Sequence, residues 1–258
     1  MRVALLQLDI VWEDVAASHA RASRLLEQAA REGARLAVLP EMFSTGFSMH
    51  PQRVAQPRGG ASESFLRERA ASLGLWILAS IPESGESRPR NVALLVSPSG
   101  EVVRYAKIHP FSFGGEDREY AGGDGIVTAH VDGVRVTPFI CYDLRFPEPF
   151  RLAADATDLY AVVSNWPDRR QTHLTVLLQA RAIENQAYVV GVNRTGEGDG
   201  LRYLGRSVAF SPWGEKLAEA GEEQTVVFCE VDPAEVAVAR KTFPALKDRR
   251  PEAYRRLG

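Results

Sequence analysis

Apolar positions follow two rhythms along this chain. Residues 2–8 are a short β-rich start, and over 15–31 the positions Ala22, Leu25, Leu26 and Ala29 recur at helical spacing, with Gly33 where such a helix stops. Leu36-Ala37-Val38-Leu39 is a continuous apolar run, the signature of a strand covered on both faces. A second helix is predicted over 59–73, closed by Gly74, and Leu75-Trp76-Ile77-Leu78-Ala79-Ser80-Ile81 is the next strand. Residues 91–96 and 101–106 read as a hairpin turning at Pro98-Ser99-Gly100. Beyond residue 136 the order is strand, helix over 148–154, strand over 159–163, helix over 172–186 and strand over 188–192. The remainder, 203–210, 215–218 and 225–231, is β-rich with a tight turn at Pro212-Trp213-Gly214. Repeated strand–helix–strand units predict an α/β fold.

Several apolar runs end in polar residues, and βαβ architectures place ligands beyond the carboxyl ends of their strands. Val136-Thr137-Pro138-Phe139-Ile140 runs into Cys141-Tyr142-Asp143-Leu144-Arg145-Phe146-Pro147, so the chain turns polar where a core strand would continue. A thiol at such a corner projects from the sheet, with the next backbone N–H groups aimed the same way, which makes Cys141 a candidate nucleophile. Cys229, inside Thr225-Val226-Val227-Phe228-Cys229-Glu230-Val231, reads as an ordinary buried cysteine. Glu41 follows the second strand, and the loop Met42-Phe43-Ser44-Thr45-Gly46-Phe47-Ser48-Met49 is too apolar for a solvated surface. A carboxylate held against Phe43 and Phe47 would have the raised pKa that a general base needs. Lys107 ends the second hairpin strand and precedes Ile108-His109-Pro110-Phe111. His109 is an alternative base for Cys141, although a histidine between Ile108 and Pro110 reads better as structural.

Composition narrows the picture. At 258 residues, 45% hydrophobic and 25% charged, the chain suits one domain over 1–258, and nothing in it reads as a linker. A net charge of −2 offers no basic field for nucleic acid. No stretch reaches the roughly 18 apolar residues of a membrane span. The first apolar run meets Asp9 too soon for a signal peptide. Two cysteines in unlike settings suggest no disulfide framework and point to a cytoplasmic setting. His19, His50, His109, His130 and His173 lack the paired spacing of metal ligands. The glycine-rich loop near 114–123 carries several acids and no following Lys-Ser/Thr, so it is not a phosphate cradle.

Three segments in this order, Leu39-Pro40-Glu41-Met42-Phe43, Tyr105-Ala106-Lys107-Ile108-His109 and Ile140-Cys141-Tyr142-Asp143-Leu144-Arg145-Phe146-Pro147, resemble the nitrilase, or carbon–nitrogen hydrolase, superfamily. Arg181-Ala182-Ile183-Glu184-Asn185-Gln186 and Gly191-Val192-Asn193-Arg194 add to that resemblance. Phe43-Ser44-Thr45-Gly46-Phe47, Phe111-Ser112-Phe113-Gly114-Gly115-Glu116 and Ser164-Asn165-Trp166-Pro167 resemble the ω-amidase branch, which hydrolyses the amide of 2-oxoglutaramate or 2-oxosuccinamate. The resemblance implies a four-layer αββα sandwich, paired as a homodimer with the C-terminal tail, residues 243–258, at the interface. It also implies a metabolite-repair role, because glutamine transamination yields 2-oxoglutaramate.

Carried onto this chain, the resemblance makes Glu41 the base, Lys107 the cation, Cys141 the nucleophile and Glu116 a second active-site carboxylate, with Glu119 near enough to contend for that place. A Cys141 thiolate, favoured by Lys107, attacks the carboxamide carbon while Lys107 and the Tyr142 backbone N–H hold the oxyanion. The resulting thioester is hydrolysed with no cofactor or metal. Arg169 and Arg170 are the candidates for binding a substrate carboxylate, and Phe43 and Trp166 for walling the pocket. Arg145 is expected to pair with Asp143. His173-Leu174 stands where related sequences often carry an aromatic residue. Two rival readings are an N-carbamoyl-amino-acid or general aliphatic amidase with the same Glu-Lys-Cys set, and a non-catalytic protein using Cys141 as a peroxide-sensitive switch.

Overall fold

The computed structural model describes residues 1–255. The first half of the chain builds most of one sheet. Strands β1 (Arg2–Gln7), β2 (Leu36–Val38) and β3 (Trp76–Glu83) run parallel. Helix α1 (Val15–Arg31) joins the first two, and α2 (Pro51–Val54) and α3 (Ala61–Leu73) lie before the third. The hairpin β4 (Arg90–Val96) and β5 (Val102–Ala106) follows, and the single turn α4 (Glu116–Glu119) leads into the second half. There β6 (Ala129–Val131), β7 (Val134–Ile140), α5 (Pro147–Ala153), β8 (Leu159–Ser164), α6 (Gln171–Asn185) and β9 (Tyr188–Asn193) repeat the strand–helix–strand scheme. A small hairpin, β10 (Thr195–Gly198) and β11 (Leu201–Leu204), precedes β12 (Val208–Phe210), β13 (Lys216–Glu219) and β14 (Thr225–Glu230). Helices α7 (Pro233–Thr242) and α8 (Pro251–Tyr254) end the described chain.

The sheet orders are β14-β1-β2-β3-β4-β5 and β13-β12-β9-β8-β7-β6, so the last long strand crosses back to complete the first sheet. Each sheet has a parallel core of three strands edged by antiparallel ones. Alternation within the strands sorts the side chains between layers. Val3, Leu5, Leu36, Val38 and Leu78 enter a core shared with Val136, Val163 and Val190 of the other sheet. Their neighbours Ala4, Leu6, Ala37, Leu39 and Ile77 point the other way, against Ala22, Leu26, Leu66 and Ala70 of α1 and α3. Leu174, Leu178 and Ala182 of α6 cover the outer face of the second sheet. The result is the four-layer αββα sandwich that the resemblance implied, and it explains why the central strands read as unbroken apolar runs.

Local signals place the ends of these elements. The Asp14 carboxylate caps α1 by accepting the Ala17 N–H at 2.9 Å. Gly74 closes α3 in the left-handed region at φ 66°, a conformation a β-carbon disfavours. The sequence pattern missed α7, because only Val236 and Ala239 of that helix are buried and no strong stripe forms. Its Asp232-Pro233 start was the available sign, and Asp232 does accept the Ala234 N–H at 2.9 Å. Within the 243–258 tail, Leu246 is buried and Arg249 pairs with Asp155 at 2.7 Å. Positions 256–258 lie outside the described residues.

His19 on α1 is stacked against Phe65 at 4.2 Å and Phe43 at 5.5 Å, and it shares a 3.1 Å hydrogen bond with Ser62 of α3. Burial lowers its pKa to about 4. The folded protein therefore resists a proton that the unfolded chain accepts near 6.5, so stability falls as pH drops from 6.5 toward 4. Thermal unfolding of His19→Phe should lack this share of the acid destabilisation. Parallel Tm-against-pH curves for the two proteins would contradict the assignment.

Candidate active site

The polar residues that end the apolar runs converge at one edge of the sandwich. Glu41 follows β2, whose line is continued by the Leu39 N–H bonding to Leu78 O at 2.8 Å. Strand β5 runs antiparallel to β4, which runs antiparallel to β3, so β5 ends on the same side and delivers Lys107 there. From the other sheet β7 ends at Cys141 and β8 at Asn165. No single sheet holds the whole set. It exists because two sheets are packed with their strand ends together.

At the floor, Lys107 is enclosed between two carboxylates. Its Nζ donates to Glu41 Oε1 at 2.8 Å and to Glu116 Oε2 at 2.7 Å, and all three side chains are at most 1% exposed. Asn91 at the start of β4 bridges the same pair, its Nδ2 donating to Glu41 Oε1 at 2.8 Å and Glu116 Oε1 at 3.2 Å. The Phe111 N–H donates to Glu116 Oε2 at 2.6 Å. Burial works against the Lys107 charge, but Glu116 and Glu41 outweigh it and raise the pKa above that of an ordinary lysine. For Glu116, burial and the Glu41 charge push the pKa up against the pull of Lys107, and the net shift is upward. Glu119 is exposed on the far side of its turn, so the second carboxylate in contact with Lys107 is Glu116.

Cys141 sits at the corner after β7 with φ 49°, in the left-handed region that non-glycine residues seldom occupy. The turn is held from outside by Arg181, whose Nη2 donates to Leu144 O at 2.7 Å. Burial raises the thiol pKa well above the ordinary value and the Glu41 charge adds to it; Lys107 and the Asn165 backbone N–H oppose this without prevailing. Lys107 acts in the expected direction, favouring the thiolate, but burial of the thiol outweighs it. Glu41 Oε2 has no hydrogen-bond partner among the described residues and is the open acceptor of the cluster.

Above the thiol lies a cavity of about 230 Å3, lined in part by Phe47, Phe111, Tyr142, Trp166, Leu201 and Tyr203. Arg145, Arg169 and Arg170 also line it, and none has a carboxylate partner among the described residues. Arg170 is half-buried over the Phe111 ring at 5.0 Å, whereas Arg169 is exposed. Arg145 does not pair with Asp143 as expected. Its guanidinium stacks on Trp166 at 4.6 Å and donates to His173 Nδ1 at 3.2 Å, because Asp143 faces inward and is taken by other donors. Nor does Phe43 wall the cavity. It is fully buried in the helix-covered layer with His19 and Phe65, and Phe47 takes the pocket position. His109 is engaged with Asp143 and stacked on Phe146 at 3.7 Å, the structural role rather than that of a base.

Two contributions escaped the sequence pattern. Asn91 looked like the polar start of an apolar strand, and nothing local marked it as the bridge between two distant carboxylates. Leu201 and Tyr203 come from the β10–β11 hairpin, whose Asp199-Gly200 turn was a legible signal in a stretch with too many glycines to alternate. Among the described residues no group of three or more histidine, cysteine or carboxylate side chains is arranged to hold a metal ion.

With the sandwich, the buried Glu41–Lys107–Glu116 cluster, the Cys141 corner and the cavity in place, the chain belongs to the carbon-nitrogen hydrolase family, whose pattern matches residues 2–241. It is 38% identical over 250 residues to Omega-amidase YafV of Escherichia coli K12, spanning 96% of each chain. It is 31% identical over 256 residues to 2-oxoglutaramate amidase of Bacillus subtilis, spanning 98% of each. Among solved structures, a CN-hydrolase superfamily protein of Xanthomonas campestris with an arsenic adduct in its active site matches 97% of each chain with TM-score 0.92 and 34% identity. An amidase variant of Nesterenkonia sp. AN1, showing Michael addition of acrylamide at its active-site cysteine, matches with TM-score 0.87 and 26% identity over the full length of each.

Replacing Lys107 by methionine leaves two buried carboxylates facing each other. Such a break should cost about 3–5 kcal/mol in denaturant unfolding at neutral pH. One carboxyl would then take up a proton more readily folded than unfolded, so the deficit should shrink as pH falls toward 5. Adding Glu116→Gln should restore part of the loss. A Lys107→Met protein as stable as wild type at pH 7 would contradict the charge arrangement.

Proposed function

We propose that this protein hydrolyses the terminal carboxamide of a small 2-oxo acid, 2-oxoglutaramate or 2-oxosuccinamate, to the acid and ammonia. The observation that carries the reading is the division of charge within one cavity. A nucleophile beside a buried acid–base cluster lies at the floor, and arginines without carboxylate partners line the walls. A substrate with a neutral amide at one end and a carboxylate at the other matches that division, and a plain aliphatic amide does not. The names borne by the relatives from Escherichia coli and Bacillus subtilis support the same substrate class.

In the first half-reaction Cys141 Sγ attacks the carboxamide carbon as its proton passes to Glu41. A resting thiol with a raised pKa suits this order, because the proton leaves only as the bond forms. The oxyanion is met by the Lys107 ammonium and the Tyr142 backbone N–H. Collapse of the intermediate breaks the C–N bond, and Glu41 returns its proton to the departing nitrogen, releasing ammonia. Glu41 then takes a proton from water, which attacks the thioester, and the proton is returned to the Cys141 sulfur as the acid leaves. Glu116 keeps Lys107 aimed at the reacting carbonyl throughout. Arg170, whose guanidinium is partly desolvated and close enough for its charge to couple to Cys141, binds the substrate carboxylate, with Arg145 and Arg169 adding to the positive wall. Trp166 holds Arg145 in place. The working protein is a cytoplasmic homodimer with residues 243–258 at its interface, and its role is metabolite repair.

Ammonia release from 2-oxoglutaramate is expected for the wild type and absent in Cys141→Ala. An N-carbamoyl amino acid and a simple aliphatic amide should turn over far more slowly. Rapid turnover of the carbamoyl compound, with the oxo-acid amide inert, would keep the triad and overturn the substrate. Arg170→Met should raise KM about 10–100-fold with a smaller change in kcat, as loss of a charged hydrogen-bond pair requires. An unchanged KM would remove Arg170 from the substrate site.

A further inference from the structure

We propose that Asp143, acting with Tyr105 and His109, is a positioning device that fixes the distance between nucleophile and cation. The proposal rests on the reading of Cys141 as the nucleophile and Lys107 as its oxyanion partner. Asp143 is fully buried. Its Oδ2 accepts from the Tyr105 hydroxyl at 2.7 Å and from the Ile140 N–H at 3.1 Å. Its Oδ1 accepts from the His109 N–H at 2.9 Å and lies 2.8 Å from His109 Nδ1. A carboxylate only accepts, so Nδ1 carries the hydrogen.

The partners fall on both reacting segments. Tyr105 and His109 stand two residues to either side of Lys107, while Ile140 and Asp143 bracket Cys141. One carboxylate thus ties the end of the lysine strand, in one sheet, to the cysteine corner, in the other. Ring packing reinforces the tie. His109 stacks on Phe146 at 3.7 Å with planes 9° apart, Phe146 packs edge-on against Tyr142 at 5.3 Å, and Tyr105 packs edge-on against Phe139 at 5.5 Å. Cys141 holds a backbone conformation that persists only when its surroundings over-determine it, and Asp143 supplies that determination from within the turn. None of Tyr105, His109 and Asp143 lines the cavity, so they act through Cys141 and Lys107 and never touch substrate.

The test uses Tyr105→Phe, which deletes one hydroxyl, and His109→Phe, which keeps a ring on Phe146 and deletes the Nδ1 donor. Each should lower kcat about 10–100-fold, the penalty of a displacement near 1 Å, with KM for the oxo-acid amide within about twofold of wild type. Alkylation of Cys141 by iodoacetamide should slow in step. The double variant should lose less than the product of the single losses, since both act on one carboxylate. His109→Asn, which presents an amide N–H to Asp143, should recover most of the kcat lost in His109→Phe. Variants that unfold at lower temperature yet keep wild-type kcat and alkylation rate would overturn the proposal and leave a structural brace. Alkylation needs no substrate, so it decides the point even if the oxo-acid amide proves inert, an outcome that sinks the substrate reading alone.

Discussion

The structure depends on a single ammonium held between two carboxylates, all three side chains buried. Glu41, Lys107 and Glu116 come from three separate connections, and with Asn91 they leave only Glu41 Oε2 unmatched among their charged oxygens. Buried charge is tolerated when it is paired and hydrogen-bonded, so the cluster constrains every element that reaches it. Strands β2, β4 and β5 and the turn at Glu116 must all keep their register. The remaining acceptor points to the only work the cluster has left, which is to take and return a proton.

The cluster sets two carboxyl groups against one ammonium, and the thiol beside it is itself buried. Lys107 pulls the thiol pKa down, while burial and the Glu41 charge push it up and prevail. Proton transfer is thereby coupled to attack. The positive counterweight lies farther out, in Arg145, Arg169 and Arg170 around the cavity. The site is negative at its floor and positive at its walls, the division on which the proposed substrate rests.

Joining two sheets creates the site and also a mechanical demand. The cation belongs to one sheet and the nucleophile to the other, so their separation depends on sheet packing unless something local fixes it. Several contacts cross that junction, among them the Asn165 amide donating to Glu41 O at 2.7 Å. The apolar core shared by Val3, Leu5, Val136 and Val163 sets the coarse spacing, while the proposed role of Asp143, bonded to Tyr105, His109 and Ile140, is to set the fine spacing beside Cys141 and Lys107. Arg181 closes the cysteine turn from its outer side.

The sequence by itself determined the strand–helix rhythm and singled out the three residues proposed to carry the chemistry. Both depend on local features: apolar runs too continuous for a one-sided sheet, and Glu41, Lys107 and Cys141 each placed where such a run stops. Motif order around those residues supplied the family and its layering, which periodicity alone does not contain. Tertiary structure decided the rest, because it concerns partners far apart in sequence. It chose Glu116 over Glu119 by turning one inward and one to solvent, and it made Asn91 a bridge. Phe43 and Phe47, four residues apart, were sent one into the helix-covered layer and the other to the cavity wall. Arg145 was turned toward the cavity because Asp143, two residues away, was already occupied by donors from another strand. A side chain's partner is set by which elements pack together, and that information is not held in the few residues on either side of it.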